Sequence, residues 1–284
     1  MNVQIVIDSA SDLPKDIQEQ YQIDSVPLLV HLDGEDYLDG ESIEPKTVYN
    51  AMRAGKSPKT AQATPESFYK IFKKHVEQNR AVIYMAFSSE LSGTYQSAII
   101  AKEQIAEDYP DADLYCIDTK AASLGCGLIA YHAAELANRG GDVQDILDMT
   151  NHYVNNIEHI FTVDDLEYLH RGGRVSRTQA FVGSLLKIKP LLHVEDGKLI
   201  PLEKIRGAKK VLRRMVDLMN ERGENLNEQT IAITHGDDEE NANKLKELIQ
   251  EEINPKQVIV SPIGSAIGAH AGPGTIALFF FNQS

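Results

Sequence analysis

A chain of 284 residues, 42% hydrophobic and 25% charged, has the make-up of an ordinary folded protein and enough length for two cores. Its net charge of −14 argues against nucleic acid as a partner, because phosphate binding needs cations. The apolar run at 276–281 is far shorter than the ~18–20 residues of a membrane-spanning helix, so at most transient membrane contact is expected. The two cysteines, Cys116 and Cys126, suit neither a disulfide framework nor a zinc site and read as buried free thiols. The N-terminus runs from Met1 straight into a strand-like stretch, which reads as an unprocessed cytoplasmic protein.

In chain order, 3–7 is an apolar strand that empties into Asp8-Ser9, and a helix opens at Asp12-Leu13-Pro14. A strand over 26–32 ends in the turn Asp33-Gly34, and helices follow at 44–54 and 65–77. Strand 81–87 precedes helix 93–107, and strand 114–118 precedes an Ala/Leu-rich helix from Ala121 to about Asn138. A helix over 143–156 leads out of this half. The second half opens with strand 159–163 and a short helix ending in Arg171-Gly172-Gly173-Arg174, and continues with a helix over 176–186. Runs 189–194 and 198–202 around Asp196-Gly197 predict a β-hairpin. A basic helix over 207–222, strand 230–234, helix 239–252 and strands 257–260 and 276–281 complete the chain. Strands alternating with long helices predict an α/β protein of two domains, 1–157 and 158–284, each a mostly parallel sheet flanked by helices. Ligands of such sheets sit beyond the C-terminal strand ends, which directs attention to the loops after Ile7, Phe87, Thr234 and Val260.

Three loops carry candidate chemistry. Ser88-Ser89-Glu90-Leu91-Ser92-Gly93-Thr94 sets several hydroxyls at a strand-to-helix junction, where backbone N–H groups favour an anion. The plainer reading is that Ser92 caps the helix. Thr60 lies in a second hydroxyl-rich loop, clear of Thr64, which reads as the cap of the helix opening at Pro65. His270-Ala271-Gly272-Pro273-Gly274 is a tight loop with an imidazole beside it, able to donate to an anion or to serve structure alone. No G-x-S-x-G, G-x-G-x-x-G, phosphate-loop or H-E-x-x-H pattern is present, so neither a cofactor nor a metal is expected. Residues 170–214 hold twelve Lys/Arg against three acids, which reads either as a solvated surface or as a docking patch.

Together these pieces resemble the DegV family over essentially the whole chain: Asp8-Ser9 with Asp12-Leu13, Lys59-Thr60-Ala61-Gln62, the serine loop, Arg171-Gly172-Gly173-Arg174 and His270-Ala271-Gly272-Pro273-Gly274. Ala61 and Ala63 stand where the usual family pattern carries a serine and a proline. The resemblance implies a long-chain fatty acid in a tunnel between two domains. Its carboxylate would be held by Thr60 and Ser92, with Ser89, Gly93 and Thr94 in the same loop and His270, Gly272 and Arg206 beside it. It also implies presentation of that carboxylate to a separate fatty-acid kinase ATP-binding subunit, and the basic stretch, with Arg171 and Arg174 about the Gly172-Gly173 turn, reads as the patch that would dock it. No catalytic residue is then needed. Two other readings stay open: an acyl hydrolase with Ser92 as nucleophile and His270 as base, and a binder of phosphorylated sugars.

Overall fold

The first apolar runs pair as buried parallel strands. In the computed structural model, which describes residues 2–176 and 188–283, β1 (Val3–Asp8), β2 (Asp24–Val26), β6 (Ala81–Ala86) and β7 (Leu114–Asp118) form a parallel sheet in the order β2-β1-β6-β7. Every residue of β1 and β6 is buried, as helices on both faces of a parallel sheet require. The helices of this half are α1 (Lys15–Tyr21), α2 (Pro45–Arg53), α3 (Pro65–Val76), α4 (Thr94–Asp108), α5 (Leu124–Asn138) and α6 (Val143–Asn156). The single strand expected over 26–32 is two strands. Pro27, which has no N–H for a ladder, separates β2 from β3 (Leu29–Leu32). With β4 (Glu35–Leu38) and β5 (Lys59–Ala61), β3 builds a small antiparallel sheet in the order β4-β3-β5, and β5 carries Thr60.

The second half departs further from expectation. β8 (Ile157–Thr162), β9 (Ile188–Glu195), β10 (Lys198–Arg206), β11 (Thr230–His235), β12 (Gln257–Pro262) and β13 (Ile276–Phe281) line up as β10-β9-β8-β13-β11-β12. Its pairings are antiparallel except β11 with β12, so the expected mostly parallel second sheet is corrected to a mixed one. Those two are the consecutive neighbours joined by a crossover helix, α9 (Glu239–Glu252), after α7 (Leu166–Arg171) and α8 (Ala208–Arg222). The hairpin is where it was expected. Asp196 and Gly197 both take positive φ, 49° and 79°, as a two-residue turn of matching twist demands. Residues 265–271, read as loop, form a short helix, α10 (Ser265–Ala271), whose last turn holds His270. The helix expected over 176–186 falls outside the described residues apart from Ser176.

Alternation along the second sheet decides its two faces. Ile160, Ile231, Ile233, Leu278 and Phe280 pack under α8 and α9, whereas Phe161, Ala232, Ala277, Phe279 and Phe281 join the core that continues into the first half. Cys126 is buried and Cys116 half-buried, both free. Among the described residues no helix is long and apolar enough to cross a membrane.

Asp8 ties the two central strands together where they end. Its buried carboxylate accepts hydrogen bonds from Tyr84 Oη at 2.6 Å, Phe87 N at 2.9 Å and Ala10 N at 3.1 Å, which aims the loop after β6 toward the second sheet. Burial outweighs these bonds and raises its pKa to about 6. A carboxyl with a raised folded pKa binds its proton more tightly when folded, so its contribution falls as pH rises from about 4 through 6. In urea denaturation, the stability margin of the wild type over Asp8→Asn should therefore shrink by about 2 kcal/mol between pH 4 and pH 7, at 1.36 kcal/mol per unit. A margin independent of pH would show that Asp8 titrates normally.

Candidate functional site

Between the two larger sheets lies a cavity of about 330 Å³, at the lower end of the range for small-molecule sites. Most of its wall is apolar: Phe87 and Leu91 come from the first half, and Phe161, Val194, Leu199 and Phe279 from the second. Thr60, Ser92, Gly93 and His270 also line it, so four of the expected ligand residues meet in one place from three separate segments.

The local bonding shows how each is set. Thr60 Oγ1 lies 2.6 Å from His270 Nε2, a bond between residues 210 apart in the chain. Ser92 Oγ accepts the Thr94 N–H at 3.2 Å and lies 2.9 Å from Thr94 Oγ1, so Thr94 is a buried support behind the wall. Gly93 leaves room for Gln62. A Cβ there would fall 2.0 Å from Gln62 Oε1, and the Gln62 amide in turn donates to Ser97 Oγ at 2.9 Å. Gly172 is required by His270 in the same way, since a Cβ would fall 2.2 Å from the imidazole Nδ1.

Arg174 is placed differently from expectation. Read as a docking residue, it lines the cavity instead, half-buried, with Nε donating to the Leu91 carbonyl at 3.0 Å and Nη1 to the Gly172 carbonyl. The glycine pair Gly172-Gly173 turns the chain back sharply enough to fold the guanidinium inward, with Gly173 at φ +75°. Burial pulls its pKa down, and no carboxylate among the described residues pairs with it. Arg171 does stay outside, exposed, donating to Ser57 Oγ at 2.9 Å and lying over the Tyr168 ring at 5.0 Å.

Three other expected ligand residues are outside the cavity wall. Ser89 is committed to Asp118, which accepts its N–H and hydroxyl, and Lys120 Nζ donates to the same Oγ at 2.9 Å. Gly272, at φ +81°, is needed because a Cβ would strike the Tyr168 ring at 2.3 Å. Arg206 is exposed at the end of β10, opposite Ile188. The basic stretch is also less free than a count of charges suggests. Arg213 pairs with Glu252 and Asp217, Arg214 with Glu203 and Glu221, Lys189 with Asp164 and Lys198 with Glu90. Most of those acids lie outside the stretch.

The reading missed Gln62, Ser123, His159 and Thr234 as wall residues. Period-two alternation could have found two of them: His159 shares its face of β8 with Phe161, and Thr234 its face of β11 with Ala232.

The set Thr60, Ser92, Arg174 and His270 suits an anion at one edge of an apolar space. It does not suit nucleophilic catalysis. His270 Nε2 engages Thr60, Ser92 Oγ engages Thr94, and no carboxylate orients the imidazole among the described residues. The acyl-hydrolase alternative with Ser92 and His270 is therefore not supported.

Comparison with known proteins agrees with this picture. A family model described as an uncharacterised protein of the DegV family matches residues 2–283. A DegV domain-containing protein of Clostridium perfringens is 42% identical over 99% of this chain and 97% of its own length. A DegV family protein from Thermus thermophilus, described by its fatty acid binding, has a solved structure with a TM-score of 0.91 and 32% identity, covering 99% of each chain. The fatty acid kinase B3 protein of Streptococcus pneumoniae, loaded with linoleic acid, has a TM-score of 0.88 and 23% identity over 99% of each chain, a likeness of fold.

Burial first, then the charge of Arg174, hold the His270 imidazole at a pKa of about 4, so it is neutral near pH 7. In an NMR titration of ligand-free protein, Arg174→Ala should move that pKa upward while leaving it below 6.5, because desolvation remains. An unchanged value would place the guanidinium away from the ring.

Proposed function

The chain belongs to the DegV family, and on that premise we propose that it binds one long-chain fatty acid and presents the carboxylate to a separate ATP-using kinase subunit. The observation that carries the reading is the cavity itself: an apolar space closed by two sheets, with Thr60, Ser92, Arg174 and His270 converging on it. Burying a saturated tail at ~0.8 kcal/mol per CH₂ gives on the order of 10 kcal/mol for a C16 chain, which an enclosed apolar wall can recover. The carboxylate would offset the desolvation of Arg174, and the hydroxyls of Thr60 and Ser92 would orient it. The fatty-acid binding described for the Thermus relative supports the choice of ligand.

Presentation follows from the chemistry of the head group. A carboxylate held by neutral donors and one guanidinium keeps an oxygen lone pair able to attack a phosphoryl group supplied in trans. That oxygen forms a bond to the γ-phosphorus of ATP on the partner, the bond to the leaving ADP breaks, and an acyl phosphate results. In this reading the chain supplies substrate and geometry and no catalytic group, and it acts in the cytoplasm. Arg171, exposed beside the Arg174 turn, is the residue assigned to docking. The two working units are 1–157 and 158–284, with the cavity between them.

Mass spectrometry of denatured protein purified under mild conditions should release an intact fatty acid and no covalent adduct on Ser92. Ser92→Ala should weaken binding of a fluorescent fatty acid about tenfold to a hundredfold, the usual cost of one hydrogen bond to a charged group. Wild-type affinity in that variant would remove Ser92 from the head-group site. With a competent kinase subunit, His270→Ala should retain most lipid binding yet lose acyl-phosphate formation. Arg171→Glu should slow the same coupling, with a salt dependence weaker than wild type. Coupling indifferent to both changes would rule out this docking geometry.

A further inference from the structure

The cavity has a head-group end and a deep end, and the second sheet separates them. Phe161 pairs with Ala277 near the start of β13, the strand that follows α10 and its His270. His159 pairs with Phe279 two residues further along, ~7 Å deeper at the usual rise per residue. All four line the cavity. The turn before α5 meets the inner pair, because the Ala122 N–H donates to His159 Nε2 at 3.1 Å.

That turn closes the deep end. Ala121 O accepts the Ser88 N–H at 2.9 Å, and Ser88 Oγ donates to the Gly197 carbonyl at 2.8 Å, so the tip of the β9–β10 hairpin is fastened to the same place. Gly197 sits so close that a Cβ there would fall 2.5 Å from Ser88 Oγ. Ala121, Ser123, Leu124 and His159 are all buried. Ala122 among them is only half-buried and belongs to the cavity wall, so the surface it keeps open is turned into the cavity.

Its backbone cannot retreat. The N–H is held by His159, and the carbonyl accepts the Gly125 N–H at 3.0 Å. The next residue, Ser123, takes φ 51° and ψ −141°, a conformation that suits glycine and strains any side chain. Its hydroxyl holds it there by donating to Asp12. A methyl group has no rotamer to change, unlike Val194 and Leu199, the hairpin pair in the same wall.

We propose that Ala122 is a specificity-determining residue, its methyl group the stop against which the ligand's tail ends, so that the favoured ligands are unbranched fatty acids long enough to reach it and no longer. This rests on the fatty-acid reading and deepens it. Each CH₂ buried before the stop strengthens binding about fourfold, and each one beyond it meets a close-packed wall.

The test is displacement of a fluorescent fatty acid from delipidated protein by laurate, myristate, palmitate, stearate and eicosanoate. In the wild type, affinity should climb along this series and then level off or fall. Ala122→Leu should bring that break about three carbons earlier, matching the carbons the substitution adds. Laurate should then stay within about threefold of wild type, while the wild-type optimum weakens at least about tenfold. Ala122→Gly should move the break the other way, and it decides the matter if the leucine variant fails to fold. There the next longer acid should gain about fourfold relative to the wild-type optimum. Equal weakening at every chain length in Ala122→Leu, an unmoved break in either folded variant, or a wild-type series without a break would each overturn the proposal. Failure of every acid to bind the wild type would instead refute the fatty-acid reading beneath it.

Discussion

Asp12 is buried where the two halves of the chain meet, and both ends of the cavity depend on what its carboxylate holds. At φ 51° the residue turns the chain out of the first sheet so that Oδ1 accepts the Gly264 N–H at 2.8 Å and Oδ2 accepts the Ser123 hydroxyl. Its carbonyl takes the Ser261 hydroxyl at 3.1 Å, and Asp39 alongside accepts the Ser265 N–H at 2.9 Å and Ser9 Oγ at 2.8 Å. The first N–H groups of α10 have no partner within the helix, so acceptors from the first half complete it. Burial raises the pKa of both carboxyls, which is the electrostatic cost of placing acceptors there. One branch of this cluster fixes α10 and thereby His270 opposite Thr60. The other fixes Ser123, next to the Ala122 N–H that orients His159.

Polar and apolar duties are then divided by the pleat of the second sheet. Its inward positions alternate with those packed under α8 and α9, so one strand supplies both tunnel wall and helix-side core. In the proposed complex, tail burial would draw on the large inward side chains, whereas the polar residues would add direction more than affinity. Glycines supply the remaining precision. Gly93 leaves room for Gln62 within the first half and Gly172 for His270 within the second, so each half packs its own loops closely beside the cavity.

Much of this was legible in the residues. The parallel first sheet, the hairpin at Asp196-Gly197 and the Thr64 cap before Pro65 follow from local patterns, because turn chemistry, capping and strand burial are short-range properties, whereas the meeting of Thr60, Ser92 and His270 was implied only by the family resemblance. Ser89 shows where local reading fails. It looks the same as Ser92 in sequence, and only the register of β7 beside β6 brings Asp118 to claim it.

The sequence by itself determined the α/β class, the family and the three loops that carry chemistry, since each is written in contiguous residues. Tertiary structure decided the rest. The second sheet is mixed because strand order, not local propensity, sets direction, and β8 and β13 come together from opposite ends of their half. Arg174 faces the cavity while Arg171 faces water, although three positions separate them, because a positive-φ glycine turns the chain between them. His159 took its place in the cavity wall only when the turn before α5 delivered the Ala122 N–H to its Nε2. Each of these depends on which distant segment arrives at a side chain, and that is settled by packing across the whole fold.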